Sequence, residues 1–170
     1  MKQQAGFTMI EILVATLVLT VGILGVAALQ LTSFQTNQSA YARSQAIYIT
    51  QDIFDRIRAN PEGYRNTTTY DAFDSNVGGG LPADPACVVS NAGCSSLQMA
   101  QQDIREWSAN FNNVFGAENY RPRLPNGRGL VTRNGTTNDF TATVSWDEKT
   151  WDDGARTVAS RQVSITATVN

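Results

Sequence analysis

The sequence predicts an α+β protein: a long N-terminal α-helix packed on an antiparallel β-sheet, with a second, shorter helix beside it. Three observations predict it. From Ile12 to Leu29 no residue is charged, and only Thr16, Thr20, Gly22 and Gly25 interrupt the apolar run. Beyond it, Ala42, Ala46, Ile49, Ile53 and Ile57 recur at spacings of three and four, which makes one apolar stripe on a continuing helix. Near the other end, Phe140 to Trp146 and Val163 to Val169 alternate apolar and hydroxyl residues, the pattern of strands with one buried face.

The first element is the most constrained. Eighteen residues at roughly 1.5 Å each give about 27 Å, enough to cross a bilayer core with little tilt. The odd residue is Glu11, one turn inside the apolar segment. An ionised carboxylate at the bilayer centre costs about 2.5–3.5 kcal/mol on insertion scales, less near the interface, so Glu11 needs a partner. Lys2, the only charge ahead of Glu11, puts the N-terminus on the cytoplasmic side by the positive-inside bias.

The opening Met1-Lys2-Gln3-Gln4-Ala5-Gly6, followed by Phe7-Thr8-Met9-Ile10-Glu11, resembles the class III signal of type IV prepilins. A secretory signal peptide loses its apolar segment on cleavage. In the prepilin pattern the short polar leader is removed and the apolar segment stays. The resemblance implies cleavage by a prepilin peptidase between Gly6 and Phe7 and N-methylation of the new amine on Phe7. It also implies that Glu11 meets the N-terminus of a neighbouring subunit and so sets axial register. Met9 stands where the family usually has Leu, a volume-conserving change. The layout expected is a leader over residues 1–6, a transmembrane and polymerisation helix over 7–30, and a globular head over 31–170 whose first helix continues to about residue 60.

Gln30 to Ala59 contains neither Pro nor Gly, and Asp52 with Arg56 forms an i, i+4 pair on the side opposite the stripe. Asn60-Pro61 ends the helix, since Pro61 disfavours the helical conformation of its predecessor. Glu62 to Val88 predicts loop, with Gly78-Gly79-Gly80 a turn and not a phosphate cradle, because no Gly-Lys-Ser/Thr follows. Cys87 and Cys94 lie in the portion expected outside the cytoplasm, where an even count predicts a disulfide.

Ser95 to Phe115 predicts the second helix, opened by a Ser95/Gln98 capping box, striped by Leu97, Ala100, Ile104, Trp107, Phe111 and Phe115, and stopped by Gly116. Tyr120 to Arg133 carries four arginines, expected on a solvated strand edge and a turn at Pro125-Asn126-Gly127. Between the last two strands, Asp147, Glu148, Asp152 and Asp153 match no calcium loop, and Asp153-Gly154 predicts a turn.

The excluded chemistry is as informative. The formal net charge is −2, which gives no basic field and no expectation of nucleic acid. There is no histidine, so the commonest general base and zinc ligand are both missing. No nucleophile–base set, metal cluster or phosphate loop emerges, and neither enzyme activity nor a cofactor is expected.

Ala40 to Ala46 and Asp55 to Asn60 resemble the PilV family of pilus-modification pilins, strongly up to Asn60 and loosely after it through the paired cysteines, Trp107, Leu124-Pro125-Asn126-Gly127 and Val144-Ser145-Trp146. That resemblance implies a minor pilin that joins other minor pilins and the major pilin in priming assembly and links the shaft to a tip adhesin. It places the chain first in the bacterial inner membrane, with its C-terminus periplasmic, and then in the pilus at the cell surface. Ala28 occupies the place where many major pilins carry a helix-breaking Pro, which also points to a minor subunit. A pseudopilin of a type II secretion system shares the same N-terminal pattern and is the alternative.

Overall fold

A computed structural model describes residues 6–76, 80–152 and 155–169. Most of the leader, two of the three clustered glycines (Gly78 and Gly79) and the Asp153-Gly154 turn therefore lie outside the described residues, as does the Asp152 side chain. The chain divides into two compact units, Met1–Tyr41 and Ala42–Asn170.

The first unit holds the N-terminal part of α1 (Met9–Ala59), a helix of 51 residues. Every described residue up to Gln38 is exposed. Four threonines in this part, at positions 16, 20, 32 and 36, turn their hydroxyls onto carbonyls three or four residues back. That removes their free donors from an otherwise apolar surface.

The second unit begins with the C-terminal part of α1, which buries Ala46, Ile49, Thr50, Ile53, Phe54 and Ile57. Its core-facing stripe is the predicted one, widened by Thr50 and Phe54. Asn60 then does two things: it ends α1 and caps α2 (Pro61–Asn66), its side chain accepting from the Gly63 N–H at 3.1 Å. Pro61 suits the first helical position because no N–H is needed there. Gly63 is required by this close approach, as a Cβ there would lie 2.2 Å from the Asn60 amide nitrogen.

A four-stranded antiparallel sheet follows, in the order β1–β2–β3–β4. Its strands are β1 (Ala72–Asp74), β2 (Arg128–Arg133), β3 (Asp139–Asp152) and β4 (Ala155–Thr168). Phe73, Val131, Phe140, Ala142, Val144 and Trp146 turn one face into the core shared with α1. The opposite face carries hydroxyl pairs, Thr141 with Thr166 and Thr143 with Ser164, each at 2.9 Å. α3 (Ser96–Ser108) adds Ala100, Ile104 and Trp107 to the same core.

Four expectations need correction. Residues 62–88 are not all loop: they include most of α2 and all of β1, elements of six and three residues that are too short to show a period. α3 stops at Ser108 and not at Phe115. There the Ser108 hydroxyl bonds back to Ile104 O at 2.5 Å and the Asn110 amide caps Trp107 O at 2.8 Å, while Phe111 reaches the core from outside the helix. Phe115 is exposed, and Gly116 takes a positive φ in the loop beyond, away from the helix end. Finally, β2 is an interior strand, paired with β1 on one side and β3 on the other, so Arg128 to Arg133 is not a sheet edge. Its arginines are used instead, Arg128 on Asp74 and Arg133 on Asp71 at 3.1 Å.

The capping box at Ser95 is present in both directions, Ser95 N–H to Gln98 Oε1 at 2.9 Å and Gln98 N–H to Ser95 Oγ at 3.3 Å. The Pro125-Asn126-Gly127 turn is also present, with Asn126 at φ 48°. The C-terminal strands are each 14 residues long, about twice the alternating segments that announced them.

Candidate functional site

The candidate site is built from the first residues of α1. Gly6, Phe7 and Thr8 precede the helix, and the Thr8 carbonyl accepts from Glu11 N–H at 3.1 Å and Ile12 N–H at 3.4 Å. Glu11 thus sits in the first helical turn, where the helix dipole favours an anion. Phe7 is 80 % exposed and Met9 87 %, so both side chains stand open among the described residues. Phe7, Glu11, Ile12, Ala15, Thr16 and Leu19 line one open groove on the helix surface, which brings the carboxylate and the residue after Gly6 onto one face. A Cβ at Gly6, Gly22 or Gly25 would meet nothing within 4 Å, so no contact among the described residues requires a glycine at these positions. α1 is long and apolar enough to cross a membrane, and no residue of its most apolar stretch is buried. A surface of this kind is stable only in lipid or against like helices.

The head has a second organised region, which sequence reasoning missed. Arg56 does not simply face away with Asp52. Its Nε donates to Asp52 at 3.1 Å, while Nη1 donates to Glu106 at 2.7 Å and to Asp103 at 3.3 Å on α3. Asp103 also accepts from the Tyr70 hydroxyl at 2.5 Å, and the Asn60 amide donates to Ser96 O at 2.8 Å and to the Tyr70 oxygen at 3.3 Å. Burial holds the Asp103 carboxyl above its ordinary range, against the opposing pull of Tyr70 and Arg56. Tyr70 is pushed up by burial and by the Asp103 carboxylate beside its hydroxyl. Burial alone would raise Glu106, but the Gln102 amide and Arg56 hold it below the ordinary value. The network ties α1, α3 and the segment after α2 together; the only sequence signal for it is charge at helical spacing on two different helices.

Cys87 and Cys94 are joined, with Cα atoms 4.9 Å apart. They close a loop whose Val88 and Val89 face solvent, Val89 at 89 % exposure. Among the described residues no group of three or more metal-ligating side chains occurs. Glu148 is paired with Arg161 at 3.1 Å, and Asp147 accepts from Asn126 at 2.9 Å.

A fully exposed apolar helix that continues into a helix-on-sheet head defines a pilin-like α+β fold. Residues 1–27 match the family model described as the prokaryotic N-terminal methylation motif, and residues 28–105 match the one described as type IV pilin Tt1218. The chain thus joins the methylation motif to a region similar to a type IV pilin, a family of structural subunits. No curated protein and no solved structure matches it.

Proposed function

We propose that this chain is a minor pilin of a type IV pilus, of the pilus-modification kind, that helps prime pilus assembly and connects the shaft to a tip adhesin. The observation that carries the reading is the methylation motif joined to a helix whose first thirty residues bury nothing within their own chain. Such a helix is provided with a lipid environment first and a bundle of like helices afterwards. A prepilin peptidase cuts after Gly6 and methylates Phe7, leaving the new amine on the same helix face as Glu11. The carboxylate, costly in lipid while unpaired, then meets the amine of a neighbouring subunit, so assembly removes the cost that membrane residence imposes.

The chain spends its early life in the inner membrane with its head in the periplasm, where the Cys87–Cys94 bond is maintained. Its partners are the major pilin and other minor pilins. Ala28 preserves the helix where many major pilins break it, which supports a starter or adapter role.

Mass spectrometry of filaments sheared from the cell surface tests this. The expected result is a chain beginning at methylated Phe7, present at a small fraction of the main subunit. An intact leader, or absence from filaments, would overturn the reading. The second reading is a pseudopilin of a type II secretion system, supported by the same motif; a deletion that blocks protein secretion and leaves pilus number unchanged would select it.

A further inference from the structure

Two Asn-Gly pairs stand in turns of the head, Asn126-Gly127 just ahead of β2 and Asn134-Gly135 between β2 and β3. Glycine has no Cβ to shield its own peptide nitrogen, and asparagine is a thermolabile residue. The glycine nitrogen can therefore attack the side-chain amide of the residue before it. Both asparagines are exposed, so access to water does not separate the two pairs. Their hydrogen bonds do.

At Asn126 both reacting nitrogens are held. The Nδ2 that would leave donates to Asp147 at 2.9 Å, and the Gly127 N–H that would attack donates to Leu124 O at 3.2 Å. The turn is also tight, since a Cβ at Gly127 would lie 3.1 Å from both Leu124 and Phe111. Asn134 is the reverse case. Among the described residues neither its Nδ2 nor the Gly135 N–H has a hydrogen-bond partner. Its Oδ1 accepts from the Thr136 N–H at 3.0 Å, an Asx turn that folds the side chain forward along the Gly135 peptide. That bond also draws electron density from Cγ, the carbon under attack.

We infer that Asn134 is a site of spontaneous modification, in which the Gly135 nitrogen attacks the Asn134 side-chain amide and converts it to a carboxylate. A base from solvent takes the Gly135 proton, the nitrogen adds to Asn134 Cγ, and the Cγ–Nδ2 bond breaks as ammonia leaves with a proton from water. One water then opens the imide ring. Opening at Cγ gives aspartate, and opening at the main-chain carbonyl gives isoaspartate. Aspartate keeps an acceptor for the Thr136 N–H and adds a negative charge to an exposed turn. Isoaspartate lengthens the main chain by one carbon at the point where the Asn134 N–H donates to Asp139 O at 2.8 Å and the Asn138 N–H donates to Asn134 O at 3.0 Å. Those two bonds close the connection from β2 to β3, so this product loosens it. The inference rests on the head alone and not on the pilin reading.

The test incubates the full chain in membranes in mildly alkaline buffer and follows both sites by mass-spectrometric peptide mapping. Asn134 should convert at least roughly tenfold faster than Asn126, whose two hydrogen bonds have to break before the ring can close. In concentrated urea those bonds are gone, and the two sites should convert at similar rates. Gly135→Ala supplies the second arm. A Cβ there meets nothing within 4 Å, so the turn accepts it, and by shielding the nitrogen it should slow conversion of Asn134 manyfold while leaving Asn126 unchanged. An unchanged urea midpoint of this variant checks that its head is folded. Equal rates in the folded protein, faster conversion at Asn126, or a preference for Asn134 that survives in urea would overturn the inference. Conversion of Asn134 that is indifferent to Gly135→Ala would overturn it too.

Discussion

One helix in this protein obeys two rules. Between Met9 and Tyr41, α1 is apolar on nearly every side at first and buries nothing in its own chain. Between Ala42 and Ala59 it carries more charge yet buries six residues, with Ile53 and Ile57 fully enclosed. Hydrophobicity and burial therefore run in opposite directions along the same element. What decides burial is not how apolar a helix is but whether its own chain supplies a surface to cover it. The second part has a sheet and α3; for the first, the cover has to come from lipid or from other chains.

The sharpest way to test that contrast is to change each region and watch the other. Gly6→Val should abolish leader removal, so that only precursor is found in membranes by immunoblotting. Glu11→Leu should insert at least as well as wild type, because a charge is removed from the apolar segment, yet its incorporation into sheared filaments should fall manyfold. Neither change should move the urea midpoint of the head, since neither residue belongs to its core. Wild-type incorporation of Glu11→Leu would end the register role.

Changes in the head should show the reverse. Trp107 is fully buried, donates its indole N–H to Ile49 O at 2.8 Å, and packs edge-on against Phe73 and Phe111. The packing is close enough that Gly129 has no room for a Cβ, which would sit 2.4 Å from both rings, Trp107 and Phe111. Trp107→Ala should cost about 3–5 kcal/mol in denaturant unfolding. It should leave membrane insertion of α1 untouched. A loss below about 1 kcal/mol would mean that the aromatic cluster is not the anchor of this core.

The disulfide ranks next. Removing it as Cys87→Ser with Cys94→Ser should cost about 2.5 kcal/mol by the chain-entropy account of a loop this short. Unfolding of the reduced wild-type head should fall by the same amount, which separates the bond from the serines. An unchanged midpoint in both would show that the loop is already ordered by its surroundings.

Legibility in the sequence followed length and period. The 18-residue uncharged run, the five-residue stripe from Ala42 to Ile57 and the alternation at Phe140 to Trp146 each repeat often enough to stand out, and each lies where expected. The paired cysteines were legible too, from compartment and count. α2 and β1 were not, because six residues and three residues hold less than two periods of anything. Yet Asn60-Pro61 contained the clue: a cap residue followed by Pro is a helix start as well as a helix stop. α3 was drawn too long because Phe111 keeps the helical spacing while reaching the core from a turn. Arg56 is legible only in part, for a different reason. Its i, i+4 partner Asp52 is visible along the chain, but Asp103 and Glu106 are 47 and 50 residues away, and only folding shows that they converge.

That convergence gives the smallest and most specific prediction. Tyr70→Phe removes the hydroxyl that Asp103 accepts from and that Asn60 donates to, while Asn60 keeps Ser96 O and Asp103 keeps Arg56. With those partners remaining, the cost at neutral pH should be about 1–2 kcal/mol. The pH dependence carries the sign. In the folded head, burial and the neighbouring carboxylate raise the Tyr70 hydroxyl above the tyrosine range, so the native state holds its proton when the unfolded chain has let go. Stability from this group is complete below about pH 10, the unfolded value, and is lost as pH climbs from there toward the higher folded value. Tyr120, raised by burial as well, contributes a loss of the same sign and remains in both proteins. Urea midpoints measured at pH 8, 10 and 11, read against the ordinary tyrosine value, should therefore fall more steeply for wild type than for Tyr70→Phe, and the two should converge. Parallel curves would mean that the Tyr70 proton is not held by the head, and the buried network would lose its link from α3 to the segment after α2.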